Sequence, residues 1–154
     1  MSGIGAIVHG LSDMLERVKK SDKDVKGAVA AAIYQEGLAI EAESVHLVPV
    51  DTGRLRASHY VAPPEDIENP TCEAGYGTDY AAYVHERTEL NHPVGQSQFL
   101  KEPLDKAKQG YAERLRKRAD DNLMRDITIS SVPKTAPTVP SDAGGLAVKR
   151  LVVK

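Results

Sequence analysis

The sequence predicts an α+β protein in which a small antiparallel sheet packs against two long amphipathic helices, followed by an extended Pro-rich C-terminal tail. Three observations predict it. Val25, Val29, Ile33, Ile40 and Leu47 recur at helical spacing, with Ala28 and Ala32 widening the stripe, so a helix is expected from about Asp22 to Leu47. A second stripe, Leu100, Leu104, Ala107, Tyr111, Leu115, Ala119 and Leu123, predicts a helix from about Leu100 to Arg125. Between them, Leu55–Ala62 and Thr71–Tyr76 read as strands joined by a polar connection, the pattern of a hairpin with a long loop.

Taken in chain order, Ile4–His9 is a short apolar run that reads as an edge strand or an unstructured lead. Ser12 then suits the N-cap of a short helix running to about Lys20. In the long helix that follows, Glu36, Glu41 and Glu43 are expected mostly at the sides of the apolar stripe. Gly37 costs that helix about 1 kcal/mol relative to Ala. Pro49 ends it, because Val48 before a proline is biased away from helical angles. Asp51-Thr52-Gly53 is turn chemistry, with an Asp able to accept backbone N–H bonds and a Gly able to take positive φ. Pro63-Pro64 closes the first strand. Gly75 and Gly77 around Tyr76 suggest a bulge or a close backbone approach. Asp79–Arg87 suits a strand or one short helix, and the strand is preferred. Thr88–Gln98 reads as a surface loop. Pro103 fits only the first turn of a helix, which places the second helix start near Lys101. Ile127–Val132 and Leu146–Val153 are strand-like and are separated by Pro133, Pro137, Pro140 and a Gly pair. Residues 1–126 are therefore expected to form one α+β domain and 127–154 an arm or hairpin, placed on its own sheet or on a neighbour.

Composition narrows the function. With one Phe, no Trp and six Tyr, the core must be filled mainly by Leu, Val, Ile and Ala, and modest stability for an isolated subunit follows. The net charge of −2 lacks the basic surplus of a protein held by phosphate neutralisation. The most basic stretch, Arg114–Arg118, shares its helix with Glu113, Asp120 and Asp121 and reads as a solvated face rather than a DNA site. Cys72 is the sole cysteine and reads as a small buried apolar side chain. No basic region followed by an apolar run opens the sequence, and no stretch approaches a membrane span, so a soluble protein made in the cytoplasm is expected.

The chemistry of an enzyme is not visible. His9, His46, His59, His85 and His92 form no HxH, HExxH or HxxxH set, so no metal site is expected. His85 with Glu86, or His92 with Asp79, are pairs that any such chain offers. Ser58 and Ser97 lack a GxSxG context, and no Walker-type or GxGxxG loop is present. No catalytic residue and no cofactor are assigned.

Three segments carry information by their order. VPVDTGRLRAS (Val48–Ser58) directly follows the Ala/Glu-rich helix. GTDYAAYVHERT (Gly77–Thr88) follows the hairpin, and QFLKEPLDKA (Gln98–Ala107) opens the last helix. This order resembles the small head–tail joining family of tailed bacteriophages, whose members are described as neck, tail-completion or minor capsid morphogenesis proteins. The pattern in outline is a helix ending in PVDTGxLRxS, a hairpin, GTxYAxYVExGT, and PFLRPAL leading into a C-terminal helix. The resemblance covers about Val25–Tyr111. The chain departs from it at His85-Glu86-Arg87-Thr88, where Glu then Gly-Thr is usual, and at Gln98, where Pro is usual.

The resemblance implies a non-enzymatic ring, six- or twelve-fold, in the virion neck. Such a ring would join the portal, adaptor or head-closure side to a tail terminator or tail tube, with DNA passing through its lumen and no membrane involved. A tail terminator, a minor capsid component and a DNA-binding regulator are the alternatives. The residues singled out as structural-corner or subunit-interface candidates are Pro49, Asp51, Thr52, Gly53, Arg54, Leu55, Arg56, Tyr80, Tyr83 and Phe99. In this reading Pro49 ends the helix, Leu55 re-enters the core, and Arg54 or Arg56 pairs inside the subunit or reaches a carboxylate across a subunit boundary.

Overall fold

A computed structural model of the chain describes residues 3–132, with side chains from residue 18 onward. The expected arm beyond that point, including the Pro-rich stretch and Leu146–Val153, lies outside the described residues. The elements in order are α1 (Gly3–Leu47), α2 (Arg54–Ala57), β1 (His59–Ala62), β2 (Glu73–Tyr76), α3 (Ala81–Glu86), α4 (Lys101–Lys108) and α5 (Tyr111–Met124). The fold is mixed α/β, with one two-stranded antiparallel sheet packed against helices.

The 45-residue α1 is the spine. Its N-terminal part corrects the sequence reading, since Ile4–His9 is helical and no break separates Ser12–Lys20 from the helix that follows. Residues 18–24, VKKSDKD, contain no Gly or Pro, and extending an existing helix needs no new nucleus. In its middle α1 is buried nearly all round, with Ala28, Ala30, Ala31, Ala32, Ile33 and Tyr34 each at most 3 % exposed. Alanine permits this. The hairpin and α5 both approach the helix closely because so many of its side chains end at Cβ.

Gly37 continues that logic and explains its own helix cost. A Cβ there would sit 2.4 Å from Cys72 Sγ and 3.3 Å from Val61 Cγ1, so the hairpin can rest on α1 only where the helix has no side chain. The strands pair in the register His59↔Tyr76, Tyr60↔Gly75, Val61↔Ala74 and Ala62↔Glu73. The Tyr60 ring lies over Gly75, so what comes close to that glycine is a cross-strand side chain, in place of the expected bulge or close backbone approach. Ile33, Tyr34, Val61, Cys72 and Ala74 form one core cluster, covered by Val29, Leu38, Leu115, Ile129 and Val132. The Ser44 and Tyr76 hydroxyls meet at 2.8 Å in the interior and tie helix to sheet.

Four further expectations are corrected. The segment after the turn begins with the helical turn α2, so the first strand spans only His59–Ala62 rather than Leu55–Ala62. Asp79–Arg87 forms the helix α3, not a strand, because burying Ala81 and His85 four residues apart satisfies the helical period. The second long helix is present and starts at Lys101 with Pro103 buried in its first turn, but it bends into α4 and α5 at Gln109–Gly110, where Gly110 takes φ 65°. Ile127–Val132 makes turns instead of a strand: Ile127 N donates back to Asn122 O at 2.8 Å, and Ile129 N donates to Gly27 O of α1 at 3.2 Å. Among the described residues no helix is long and apolar enough to cross a membrane.

Candidate interaction site at the helix-end corner

The last carbonyls of a helix lack intrahelical donors. At the end of α1 the Leu47 carbonyl is taken by the 88–98 loop, and neighbouring backbone groups bond to that loop and to Arg56. Gln96 N donates to Leu47 O at 2.8 Å, Val50 N donates to Val94 O at 3.3 Å, and Arg56 Nη2 reaches Val48 O at 3.4 Å. The 88–98 loop is therefore stitched to the corner. Gly95, at φ 85°, lies flat on it: a Cβ there would come within 2.6 Å of the Val48 and Pro49 backbone.

Within the corner, Gly53 takes φ 78° as the turn requires, and Ala57 N donates to Gly53 O at 2.9 Å. The expected bond from Asp51 to the turn backbone is not made among the described residues; Asp51 is exposed, and the Thr52 hydroxyl stands 3.5 Å from Arg54 N. Ser58 Oγ donates to Leu55 O at 2.7 Å and closes α2. Leu55 enters a second core cluster with Val48, Tyr76, Ala81, Phe99 and Leu100. Each of the three ordered segments contributes to that cluster: Val48 and Leu55 from the first, Ala81 from the second, Phe99 and Leu100 from the third.

Phe99 is fully buried, edge-on to Tyr76 at 5.0 Å and to His85 at 4.9 Å, so it anchors the corner from inside. The two arginines separate in role. Arg56 is half-buried and held by its own chain, whereas Arg54 is exposed. Beside them lies a cavity of about 250 Å³ lined by Pro49, Thr52, Leu55, Tyr80, His92 and Val94 among others. Tyr80 stands at this cavity, while Tyr83 is 53 % exposed, with the Arg87 guanidinium 4.7 Å above its ring. Val94 is 55 % exposed. The contributions of Val94, His92 and Gly95 were not read from the sequence, where only Pro93 and Gly95 marked the segment as a loop.

A second polar constellation corrects the reading of Arg114–Arg118 as a solvated face. Glu36, expected at the side of the α1 stripe, is 2 % exposed and faces α5. Arg118 Nε donates to its Oε1 at 2.6 Å, and Arg114 Nε and Nη2 lie 3.4 Å from its Oε2. Arg114 also donates to the carbonyls of Ala107 and Gln109, which are left open where α4 ends. One side chain thus holds both the bend and the α1–α5 contact. Tyr111, next to this group, is pushed above its ordinary value by burial and by the nearby Glu36 charge.

Several other titratable groups are packed inside the fold. Glu41 is half-buried and ion-pairs with His59; burial raises its carboxyl, and the His59 charge opposes that rise. Cys72 is buried as expected, and burial pushes its thiol up to about 12. His85 Nδ1 lies 3.2 Å from Glu86 Oε1, and His92 Nε2 lies 3.3 Å from Ser97 Oγ rather than against Asp79. No group of three or more His, Cys, Asp or Glu side chains suited to a metal ion occurs among the described residues. Compared with protein-family models, with curated proteins and with solved structures, the chain finds no match in any of the three.

Proposed function

We propose that this chain is a non-enzymatic assembly protein of a tailed-phage neck, forming a ring between the portal side of the head and the tail. The observation that carries the reading is that the three segments of the resemblance, distant in sequence, supply one shared core cluster. Around the corner Arg54 and Tyr83, with Val94 of the 88–98 loop, are exposed, and Val94 lines the cavity. A cation and apolar groups at the edge of a concave surface suit the heterologous contact that closes a ring, in which one face of each subunit meets a different face of the next. A DNA-binding regulator is disfavoured, because two of the cations it would use, Arg114 and Arg118, are engaged by Glu36.

The test is assembly. Mass photometry and negative-stain imaging of the full chain, alone and with portal and tail proteins, should reveal rings. Arg54→Ala should weaken them while leaving monomer stability within about 0.5 kcal/mol. A chain that stays monomeric under both conditions, or Arg54→Ala particles that assemble and infect normally, would overturn the reading or its interface respectively.

A further inference from the structure

We propose that the Leu146–Val153 segment docks, within the same molecule, in the groove between α1 and the C-terminal end of α5. The groove is a cavity of about 330 Å³ beside the midpoint of α1, about six helical turns from the corner. Val25 and Ala28 of α1 and Leu123 and Ile127 give it an apolar lining, and Asp24 and Asp126 outnumber Lys20 among its charges. Two of its lining residues are exposed large apolar side chains, Val25 at 42 % and Leu123 at 41 %, and Val18 and Met124, close to them in sequence, are 64 % and 89 % exposed. An apolar patch rimmed by polar groups marks an interaction surface.

The sequence beyond Val132 contains a segment of matching chemistry. LAVKRLVV, Leu146–Val153, is apolar except for Lys149 and Arg150, two cations to set against Asp24 and Asp126. The distances favour the same chain over a second copy. Thr128 lines the groove, and Val132, four residues on, can be no further than roughly 14 Å from it. Residues 133–145 then leave 13 residues of chain between Val132 and Leu146, enough to reach roughly 45 Å when fully extended. The groove lies within that reach, and tethering on the same chain gives an effective concentration above what a neighbouring copy supplies in dilute solution. The proposal is independent of the neck reading, since a monomer would carry it.

The experiment uses the full chain with Leu151→Cys carrying a nitroxide. Cys72 is 1 % exposed, so the label goes to the introduced thiol. The expected result is paramagnetic loss of the Val25, Leu123 and Ile127 methyl signals in dilute solution. Those signals should recover in the same chain with Lys149→Glu and Arg150→Glu. Methyl signals of undiminished intensity would overturn the proposal. Loss seen only when isotope-labelled chains are mixed with separate nitroxide-bearing chains would overturn it too, by assigning the groove to a second copy. Loss that persists in the doubly substituted chain would remove the charge pairing from it.

Discussion

The backbone N–H of Gln98 donates to the carbonyl of His85 at 2.9 Å, joining the two places at which the chain departs from the pattern it resembles. Gln98 holds φ 56°, one of two positive-φ residues other than glycine among those described. Proline, usual at this position in the pattern, is locked near φ −65° and has no N–H to give. The departures are therefore coupled: a chain that turns this way before Phe99 cannot carry proline there.

Gln98→Pro should accordingly lower the unfolding free energy by about 3 kcal/mol. Gln98→Gly, which relieves the left-handed strain of about 1–2 kcal/mol, should leave it unchanged or raise it slightly. Urea titration of both variants checks the pair, and a proline variant as stable as the parent would contradict the backbone geometry.

Glu36 gives the second prediction. Its carboxylate is 3 % exposed while the Arg114 and Arg118 side chains are 39 % and 38 % exposed, so the arginines can regain water if the carboxylate is lost. Glu36→Gln should cost about 2 kcal/mol, less than the full penalty for breaking a buried pair. Lys106→Ala, which removes an exposed partner of Glu43, should cost less than about 0.5 kcal/mol. Equal costs would mean that Glu36 is not the bond between α1 and α5.

The contact between Gly37 and Cys72 predicts non-additivity. Gly37→Ala gains about 1 kcal/mol in helix propensity but drives its methyl into the sulfur, and overpacking costs about 1–3 kcal/mol. The single variant should be destabilised. In Gly37→Ala with Cys72→Ala the nearest atom of residue 72 becomes its Cβ, 3.6 Å away, so much of the loss should return. Strictly additive stabilities in the four-member cycle would refute the close approach.

Alkaline pH should unfold the protein in a defined window. Burial pushes Cys72 from 9.0 to about 12 and Tyr76 from 10.0 to about 12; burial, then the Glu73 hydrogen bond, moves Tyr60 from 10.0 to about 12. The unfolded chain releases these protons at lower pH than the native one. The contribution is thus complete below pH 9 and is lost as pH rises toward 12. The urea midpoint should stay level from neutral pH to about 9 and then fall. In Cys72→Ala the fall should begin about one pH unit higher, where the tyrosines of the unfolded chain ionise.

Much of this fold was legible because it rests on local rules. The Val25–Leu47 stripe, the stop at Pro49, the positive φ of Gly53 and the start before Pro103 each follow from one residue type in one position. The bend at Gly110 was not legible, since the apolar stripe from Leu100 to Leu123 runs through it unbroken, and what fixes it is Arg114 reaching Ala107, Gln109 and Glu36. The α3 segment was ambiguous because YAAYV suits either period, and its burial beside Phe99 decides it. At the corner, Pro49, Gly53 and Leu55 could be placed, but the loop that completes the cavity could not, because Gly95 meets Pro49 only after the chain returns from β2 and α3. The unequal fates of Arg54 and Arg56 were likewise a matter of tertiary neighbours.

The burial of α1 on nearly every side between Ala28 and Tyr34 has a mechanical consequence. A helix clamped from Ala30 to Tyr34 has little room to flex there, and that stretch lies between the groove at Asp24–Ala28, midway along α1, and the corner at Val48–Pro49 at its C-terminal end. At 1.5 Å per residue the two stand roughly 35 Å apart along its axis. The helix is thus a ruler: whatever engages the corner and whatever engages the groove are held at one fixed spacing, and a lesion at Ala30–Ala32, which line neither, would change that length before it changed either surface.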